Sequence, residues 1–202
     1  MGDHAVVLAS SSPRRRELLG RLGLDVTVHP VDVDETPHDG EDPVALVHRL
    51  ARTKAAAAPA PPGGLVIAAD TVVVLDDRIL GKPADDGDAA AMLAALAGRV
   101  HEVLTGVAVR RADHEAVGHA VTAVTFRRLT RPEIAWYVTT GEPRDKAGAY
   151  GLQGAGAVLV ERIDGSDTNV IGLPLALTLR LAHDVGVDLL TVPQRAAGTP
   201  PA

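Results

Sequence analysis

The sequence predicts a mixed α/β fold, in which helices flank a central sheet around a cleft. Patterns typical of strands and of helices alternate along the chain, which favours helices packed on a sheet. Two strand-like stretches, 102–110 and 116–127, follow one another with no helix between them, so the sheet is not purely parallel. The 202 residues are 46% hydrophobic and 23% charged, which is typical of one globular domain with a sizeable core.

The first half of the chain begins with a short apolar strand over 5–9. Leucines at helical spacing then predict a helix over 17–24, and alternation of apolar and polar residues predicts a strand over 25–33. Asp42 and Pro43 suit the start of a second helix, as its N-cap and first residue. That helix continues with a stripe of apolar residues on one face: Leu46, Val47, Leu50 and Ala51.

The second half opens with a nearly continuous apolar stretch, Leu65–Leu75, which predicts a buried central strand. Asp76 and Asp77 predict a turn directly after it. The other predicted elements are helices over 85–97, 131–140 and 173–185 and strands over 102–110, 116–127 and 157–163. We predict a single domain over 1–193 and a frayed tail over 194–202.

Composition and charge exclude several classes of function. The formal net charge is −6 and only four residues are aromatic, so no nucleic-acid partner is expected. The absence of cysteine rules out disulfides and thiol nucleophiles. No apolar run reaches the roughly 18 residues of a membrane span, and no signal peptide is recognisable. We therefore expect a cytoplasmic protein with no membrane contact.

Lysines are scarce among the 20 basic Lys and Arg residues: only Lys54, Lys82 and Lys146 are present. Ala, Gly and Pro are abundant, which indicates a coding bias that replaces Lys by Arg wherever either serves. A lysine that survives such a bias marks a position where a compact ammonium group matters, because Arg differs from it in shape and hydration. The alternative is chance survival on the surface.

The stretch Ser-Ser-Ser-Pro-Arg-Arg-Arg at 10–16 is the first candidate site. Ser12 is placed to cap a helix that begins with proline. The arginines then lie at the positive end of the helix dipole, which is unfavourable unless an anion binds there. Serine hydroxyls, backbone N–H groups and the guanidinium groups of Arg14 and Arg15 would converge on phosphate. The alternative is an exposed basic turn.

Asp70 interrupts the apolar strand and forms the second candidate site. A buried unpaired carboxylate is costly, so Asp70 is expected to meet a metal ion, a cation or a donor network. It could hold Mg²⁺ or accept a proton from water. Three further acids, Asp32, Asp34 and Glu35, follow an earlier strand pattern, and one of them with Asp70 would suffice for Mg²⁺ bound to phosphates. The alternatives are an ordinary ion pair or turn cap for Asp70 and a solvated acidic loop.

The lysines and a glycine-rich stretch complete the set of candidates. Lys54 continues the apolar stripe of its helix, so its ammonium group either snorkels outward or projects into a cleft. Lys82 stands in a rigid Gly-Lys-Pro turn after the Asp70 strand. Lys146 lies in the stretch Arg144–Gly154, whose glycines, together with Gly156, allow close approach to a ligand, although an ordinary tight loop is their commonest use. Within this stretch the Gln153 amide could read the edge of a base.

In order along the chain, these motifs resemble the Maf family, also named septum formation inhibitors. The resemblance covers roughly residues 5–185 and implies a nucleoside triphosphate pyrophosphatase, which cleaves between the α- and β-phosphates. It also implies a mixed α/β fold around a nucleotide-binding cleft, similar to inosine triphosphate pyrophosphatases, with a divalent metal ion (Mg²⁺ or Mn²⁺) and a homodimer. The motifs that carry it are Ser10–Arg15, Asp34-Glu35, Leu50–Ala55, Ala69–Thr71, Gly81–Pro83, Asp145–Gly154 and Gly172–Leu175.

Site roles follow from the resemblance one position at a time. Asp70 matches the catalytic proton acceptor, and Glu35 matches an acid that binds metal or positions water. The groups expected around the triphosphate are Ser10, Ser12, Arg14, Lys54 and Lys82, joined on charge alone by Arg15. With Asp70 and Glu35 holding the metal ion, these groups would bind the phosphates while water attacks a phosphorus.

The residues Tyr-Gly-Leu-Gln-Gly at 150–154 resemble the dTTP/UTP branch of the family, because the 7-methyl-GTP branch has Glu in place of Gln. On this resemblance, Arg14, Thr71 and Gln153 tune the choice of base. Two alternatives stay open. One is a regulatory binding protein of cell division with incidental hydrolysis, and the other is a pyrophosphatase for purines such as ITP.

Overall fold

The computed structural model describes residues 5–191, so the predicted tail over 194–202 lies outside it. A seven-stranded sheet carries helices on both faces. The strands are β1 (Val6–Leu8), β2 (Val26–Val28), β3 (Leu65–Leu75), β4 (Arg78–Leu80), β5 (Val100–Arg111), β6 (His114–Phe126) and β7 (Val160–Asp164). The helices are α1 (Pro13–Gly20), α2 (Pro43–Ala57), α3 (Asp86–Leu96), α4 (Arg131–Thr139), α5 (Asp167–Ile171) and α6 (Leu175–Asp184).

The sheet is mixed, as predicted. Its order is β2-β1-β3-β5-β6-β7, with β4 beside β3. The strands β2, β1 and β3 are parallel, and every other pair is antiparallel. The long hairpin of β5 and β6 accounts for the two consecutive strand patterns in the sequence. Within residues 5–191, none of the helices has the length and apolar character needed to cross a membrane.

Several element boundaries differ from the predicted ones. The helix predicted over 17–24 is α1, which ends at Gly20, and its start at Pro13 agrees with the prediction that proline is the first helical residue. The strand predicted over 25–33 is reduced to β2, since Pro30 offers no N–H to a sheet and the residues after it are largely exposed. The strand β4 and the helix α5 were not predicted, because they are too short to show a periodic pattern.

Successive residues of β3 face opposite layers of the molecule, as in any strand. Ala68 packs in a buried cluster with apolar residues of α2, whereas Ala69 packs with buried leucines of α1 and α6. By this alternation Asp70 faces α2 and Thr71 faces the opposite layer. The two neighbouring polar residues of the central strand therefore meet different sets of partners.

Helix α2 is held against the sheet along its whole length. Asp42 caps its first turn by accepting hydrogen bonds from two backbone N–H groups. Gly106 of β5 lies so close to the helix that a Cβ atom there would fall 2.4 Å from the carbonyl oxygen of Val47. Arg110, also on β5, donates hydrogen bonds to two carbonyl oxygens at the end of the helix. These contacts set the position of Lys54 in the last turn.

The edge of β3 that faces away from β5 is divided between two partners. β1 pairs with Leu65–Ile67, and β4 pairs with Val73–Leu75. Neither ladder covers residues 68–72, so Asp70 and Thr71 lie at a gap between them. The chain leaves β1 beside this gap, and the loop that starts at Ser10 follows it. A split sheet edge thus places the central strand next to a loop and a helix start.

Candidate active site

The gap in the sheet edge opens into a cleft of about 890 Å³. Its walls come from the loop after β1, from α2, from the turn after β4 and from the stretch after α4. Six basic side chains line the cleft against three acidic ones, so it carries an excess of positive charge. The basic residues are Arg14, Arg15, Lys54, Lys82, Arg144 and Lys146, and the acidic ones are Glu35, Asp70 and Asp145.

Lys54 is the centre of a compact ion cluster in this cleft. Its Nζ lies 2.6 Å from Oδ1 of Asp70 and 2.6 Å from Oε1 of Glu35. The side chains of Lys54 and Asp70 are only 8% and 11% exposed. The charges of Lys54 and Asp70 are therefore paired where water has little access, and both carboxylates contact the same ammonium group. Of the two predicted placements for Lys54, the structure shows the one that projects into the cleft.

Glu35 closes this cluster on the solvent side, with 46% of its side chain exposed. Partial burial raises its pKa, but hydrogen bonds and charge from Lys54 and then Lys82 outweigh burial and hold the pKa below its ordinary value. Lys82 Nζ lies 3.5 Å from the second carboxylate oxygen, and 61% of the Lys82 side chain is exposed. Asp34 instead caps a turn by accepting a hydrogen bond from the N–H of Thr36.

Arg15 differs from the expectation of a free phosphate-binding group. Its Nε donates to the carbonyl oxygen of Gly172, its Nη1 to Oγ of Ser10 and its Nη2 to Oγ1 of Thr71. Burial lowers the pKa of the guanidinium group, and the nearby Asp70 charge opposes that effect. Arg15 thus orients two hydroxyl groups of the cleft, a role that the sequence analysis did not predict.

The loop after β1 presents a hydroxyl donor to the cleft. Ser10 Oγ accepts one hydrogen bond from the N–H of Ser12 and another from Arg15. A serine hydroxyl has two acceptor sites and one proton, so the proton of Ser10 is left to donate. The prediction that the Ser12 side chain caps α1 is wrong. Ser12 occupies the N-cap position, but its hydroxyl makes no capping hydrogen bond, although the residue lines the cleft.

Arg14 lies across the cleft from the glycine-rich stretch and pairs with it. Its Nη1 is 3.1 Å from a carboxylate oxygen of Asp145. The other oxygen of Asp145 accepts a hydrogen bond from Lys146, whose Nζ also donates to the carbonyl oxygen of Glu142. Lys146 therefore shapes the glycine-rich stretch in which it lies. The Arg14–Asp145 pair connects the two walls of the cleft.

Glu142, just before the glycine-rich stretch, holds this part of the chain together through its carboxylate. Its carboxylate accepts hydrogen bonds from the Tyr137 hydroxyl and from the N–H groups of Ala155 and Gly156. Gly151, at the centre of the stretch, has no room for a side chain, because a Cβ atom there would lie 2.6 Å from Cε of Lys146. Glu142 was not among the predicted site residues. Its position as a charged residue directly before a glycine-rich stretch was the one feature of the sequence that could have indicated it.

Gln153 lines the cleft at the far end of this stretch. Its Nε2 donates a hydrogen bond to Glu17 at 3.3 Å, and the same Glu17 oxygen accepts one from Arg21. The amide oxygen of Gln153 is buried without a hydrogen-bond partner among residues 5–191. Gln153 was predicted to read the edge of a base, and its contact with Glu17 was not predicted.

Thr71, the third predicted specificity residue, also lines the cleft. Its hydroxyl lies 2.9 Å from that of Thr105, directly opposite on β5. Thr105 is fully buried and donates its own hydrogen bond to the carbonyl oxygen of Asn169 in α5. The buried residues Thr105 and Asn169 were missed by the sequence analysis, since isolated Thr and Asn residues carry no distinctive pattern.

Comparison with known proteins decides the family. A family model described as Maf-like protein matches residues 5–185. This chain belongs to the Maf family. The matched range includes the complete β3 strand, the ion cluster and the glycine-rich stretch, so every wall of the cleft belongs to the part of the chain that the family shares.

Curated relatives of this Maf-family chain are similar over nearly their whole length. A dTTP/UTP pyrophosphatase of Symbiobacterium thermophilum is 50% identical, and the match covers 92% of this chain and 96% of that protein. Proteins of the same description from Anaeromyxobacter dehalogenans and Moorella thermoacetica are each 54% identical, over 91% of this chain and 95% and 96% of theirs. Among solved structures, a HAM1 protein from Coxiella burnetii gives a TM-score of 0.47 at 18% identity, covering 93% and 94% of the two chains.

The carboxylates of this Maf-family cleft fit a divalent cation that also binds the phosphates of a substrate. Asp70 and Glu35 each bring one carboxylate oxygen to the Nζ of Lys54, and Mg²⁺ commonly uses one or two carboxylates together with substrate phosphates. No group of three or more His, Asp or Glu side chains within the described range is arranged to hold a metal ion alone. These residues therefore fit a metal ion that is bound together with an anionic substrate.

Proposed function

We propose that this chain hydrolyses nucleoside triphosphates to a monophosphate and pyrophosphate, with dTTP and UTP as the preferred substrates. The observation that carries the proposal is the cluster of Lys54, Asp70 and Glu35 at a basic cleft. The cluster supplies a proton acceptor and two carboxylates for a metal ion, and the other basic side chains of the cleft supply cations for phosphate. The substrate preference comes from the names of relatives that share about half of the sequence.

In the proposed reaction, Arg14, Lys82 and the hydroxyl of Ser10 bind phosphate oxygens, because all three offer donors to the cleft. Water attacks the α-phosphorus, its proton passes to Asp70, and the bond to the β-phosphate breaks to release pyrophosphate. Lys54 keeps the Asp70 carboxylate in place through their 2.6 Å hydrogen bond. A divalent ion held by Asp70 and Glu35 would neutralise phosphate charge and make the water more acidic.

The decisive experiment measures pyrophosphate release from a panel of nucleoside triphosphates, with Mg²⁺ or Mn²⁺ and with a chelator. We expect release from dTTP and UTP that the chelator abolishes. Asp70→Asn is expected to lower turnover at least about a hundredfold through loss of the general base. Asp77→Asn is the matched control, because it makes the same chemical change in the turn after β3, outside the cleft.

Other outcomes would contradict parts of the proposal. If pyrophosphate were released only from purine nucleotides such as ITP, the proposed reaction would stand, but the proposed preference for dTTP and UTP would be wrong. Absence of release from every nucleotide, with a folded protein, would favour a regulatory binding protein. Full activity of Asp70→Asn would remove Asp70 from the reaction.

We also propose that the active form is a homodimer, which the resemblance to the family implies. Sedimentation velocity at increasing protein concentration tests this directly. A single species with twice the mass of the chain is expected, and a monomer at all concentrations would refute the dimer. A cytoplasmic location stays a prediction of the sequence.

A further inference from the structure

Two histidine side chains meet outside the cleft, where α2 packs over β6. Nε2 of His48 lies 3.0 Å from Nδ1 of His119, and the centroids of the two rings are 5.0 Å apart. Neither residue lines the cleft. His48 is half-buried and His119 is exposed, so a small ion can reach the pair from solvent.

The backbone holds the two rings next to each other before any ligand binds. His119 lies directly opposite Gly106 in the β5–β6 ladder. Gly106 in turn lets α2 approach closely at Val47, the residue that precedes His48. The pair is therefore carried by two regular elements whose separation is fixed by close backbone contact. A metal site depends on this kind of rigid support for its ligands.

The distance between the two facing nitrogens suits a shared metal ion. Zn²⁺ binds a histidine nitrogen at about 2.0–2.1 Å. Two such nitrogens lie about 2.9 Å apart when the angle at the ion is a right angle, and about 3.3 Å apart at the tetrahedral angle. The observed 3.0 Å falls between these values. An ion would take the place of the proton that joins the two nitrogens when no metal is bound.

Both imidazoles are able to turn a lone pair toward such an ion. A neutral imidazole has its proton on one ring nitrogen and a lone pair on the other. The outer nitrogens, Nδ1 of His48 and Nε2 of His119, make no hydrogen bond to another group of residues 5–191. Each outer nitrogen is therefore available to hold the proton while the inner nitrogen binds the metal.

The charges around the pair are balanced. Arg52, one turn after His48 on α2, pairs with Glu115, which precedes His119 on β6. Their charged groups approach to 3.2 Å, so this patch has no excess positive charge that would repel a cation.

The two ligands also indicate the kind of ion. Imidazole nitrogen suits Zn²⁺ and similar transition metals, whereas Mg²⁺ is better matched by oxygen ligands. Within residues 5–191, no third His, Asp or Glu joins the pair in an arrangement that could hold a metal ion. Water would therefore fill the remaining coordination positions.

We propose that His48 and His119 form a surface site for a transition-metal ion such as Zn²⁺, separate from the cation site of the cleft. The bound ion would connect α2 to β6 and stabilise the folded protein, because the unfolded chain does not bring the two rings together. The inference does not rest on the proposed function, and failure of nucleotide hydrolysis would leave it standing.

The test is a titration with Zn²⁺ by isothermal titration calorimetry, in a buffer that contains saturating Mg²⁺. It compares the wild type with His48→Gln, His119→Gln and the matched control His114→Gln, at the exposed start of β6. Loss of either ligand is expected to weaken one Zn²⁺ binding event at least about tenfold, since even the loss of groups that only support a ligand weakens metal binding to this extent. His114→Gln should bind Zn²⁺ like the wild type. Zn²⁺ that binds in the cleft is common to all four proteins and cancels in the comparison.

Melting temperatures provide a second measurement. In a chelator they confirm that all four proteins are folded. Added Zn²⁺ should raise the melting temperature of the wild type and of His114→Gln more than that of the other two variants.

Three results would overturn the proposal. Unchanged Zn²⁺ binding in both His48→Gln and His119→Gln would show that the pair is only a hydrogen bond. A loss in one of these variants alone would show that the two rings do not share an ion. An equal loss in His114→Gln would show that exposed histidines bind Zn²⁺ wherever they lie.

Discussion

Lys54 occupies a position where a cation could not be buried alone. Asp70 and Glu35 each approach its ammonium group to 2.6 Å, and the buried part of the cluster has little contact with water. Lys82 contacts the same Glu35 from the solvent side. The two lysines therefore share one partner but differ strongly in burial. A comparison of the two lysines therefore measures how much burial adds to the free energy that an ion pair contributes to folding.

Replacing Lys54 by Met should lower the free energy of unfolding by roughly 3–5 kcal/mol, because it leaves the Asp70 carboxylate buried without its cation. Lys82→Met should lower it by less than about 1 kcal/mol, since exposed pairs contribute little. Urea denaturation of the two variants measures the difference. Equal losses would show that burial of Lys54 does not control its contribution. Both variants should lose activity, because both cations line the cleft.

At the scale of single residues, charge was the informative part of the sequence. Scarce lysines and a carboxylate inside an apolar strand indicated Lys54, Lys82 and Asp70, and the structure brings all three to one cleft. The hydroxyl network around Thr105 could not be predicted, because it depends on the register between β3 and β5. Arg15 was assigned to phosphate on charge alone, and two of its three protein acceptors, Thr71 and Gly172, come from distant parts of the chain.

Helix α2 depends on β5 for its distance from the sheet. Gly106 pairs with Asp70 in the β3–β5 ladder and lets the helix backbone approach at Val47. The same helix carries Lys54 nearly two turns further on, where it contacts Asp70. Gly106 of β5 thereby controls the distance between Lys54 of α2 and Asp70 of β3.

Gly106→Ala should push α2 away from the sheet, because the new Cβ atom would overlap with backbone. We expect a loss of roughly 1–3 kcal/mol in the free energy of unfolding. A fall in kcat/KM of roughly tenfold or more is expected through displacement of Lys54. The control is Gly20→Ala in α1, where a Cβ atom has no neighbour within 4 Å. Normal activity of Gly106→Ala would contradict the proposed link between β5 and Lys54.

At the scale of elements, long periodic segments were predictable and short ones were not. β3 has the predicted bounds, and α2 begins at the predicted Pro43, since apolar runs and an Asp-Pro start are strong local signals. β4 and α5 depend on contacts with β3 and the β5–β6 hairpin for their formation. Tertiary contacts of this kind leave no mark on local sequence, and the gap in the β3 edge was therefore not predicted.

On the scale of the whole molecule, the end of the sheet away from α1 is closed by an aromatic cluster. His101, Phe126 and Tyr150 pack edge to face, with ring centroids 4.7–5.3 Å apart. His101 is almost fully buried, and its Nε2 lies 2.8 Å from the Tyr150 hydroxyl. Burial lowers the pKa of His101 from 6.5 to about 4, so the imidazole is neutral in the folded protein at neutral pH.

This histidine should make the protein less stable in mild acid. Between pH 6.5 and about 4 the unfolded chain binds a proton at His101 that the folded protein does not, so stability falls as the pH falls through this range. The loss amounts to roughly 3 kcal/mol at the lower end. His101→Gln should show a flatter pH dependence of the unfolding free energy. His114→Gln, at the exposed start of β6, should keep the wild-type dependence.

The charge distribution of the cleft has a kinetic consequence. The chain as a whole carries a net charge of −6, yet its cleft holds six basic side chains and only three acidic ones. An incoming polyanion is repelled by most of the surface and attracted at one opening, so its collisions are guided there before any contact forms. Added salt should therefore slow capture more than turnover: kcat/KM would decline with ionic strength while kcat stays nearly constant. If kcat and kcat/KM declined together, the electrostatic field of the cleft would not guide the encounter with the substrate.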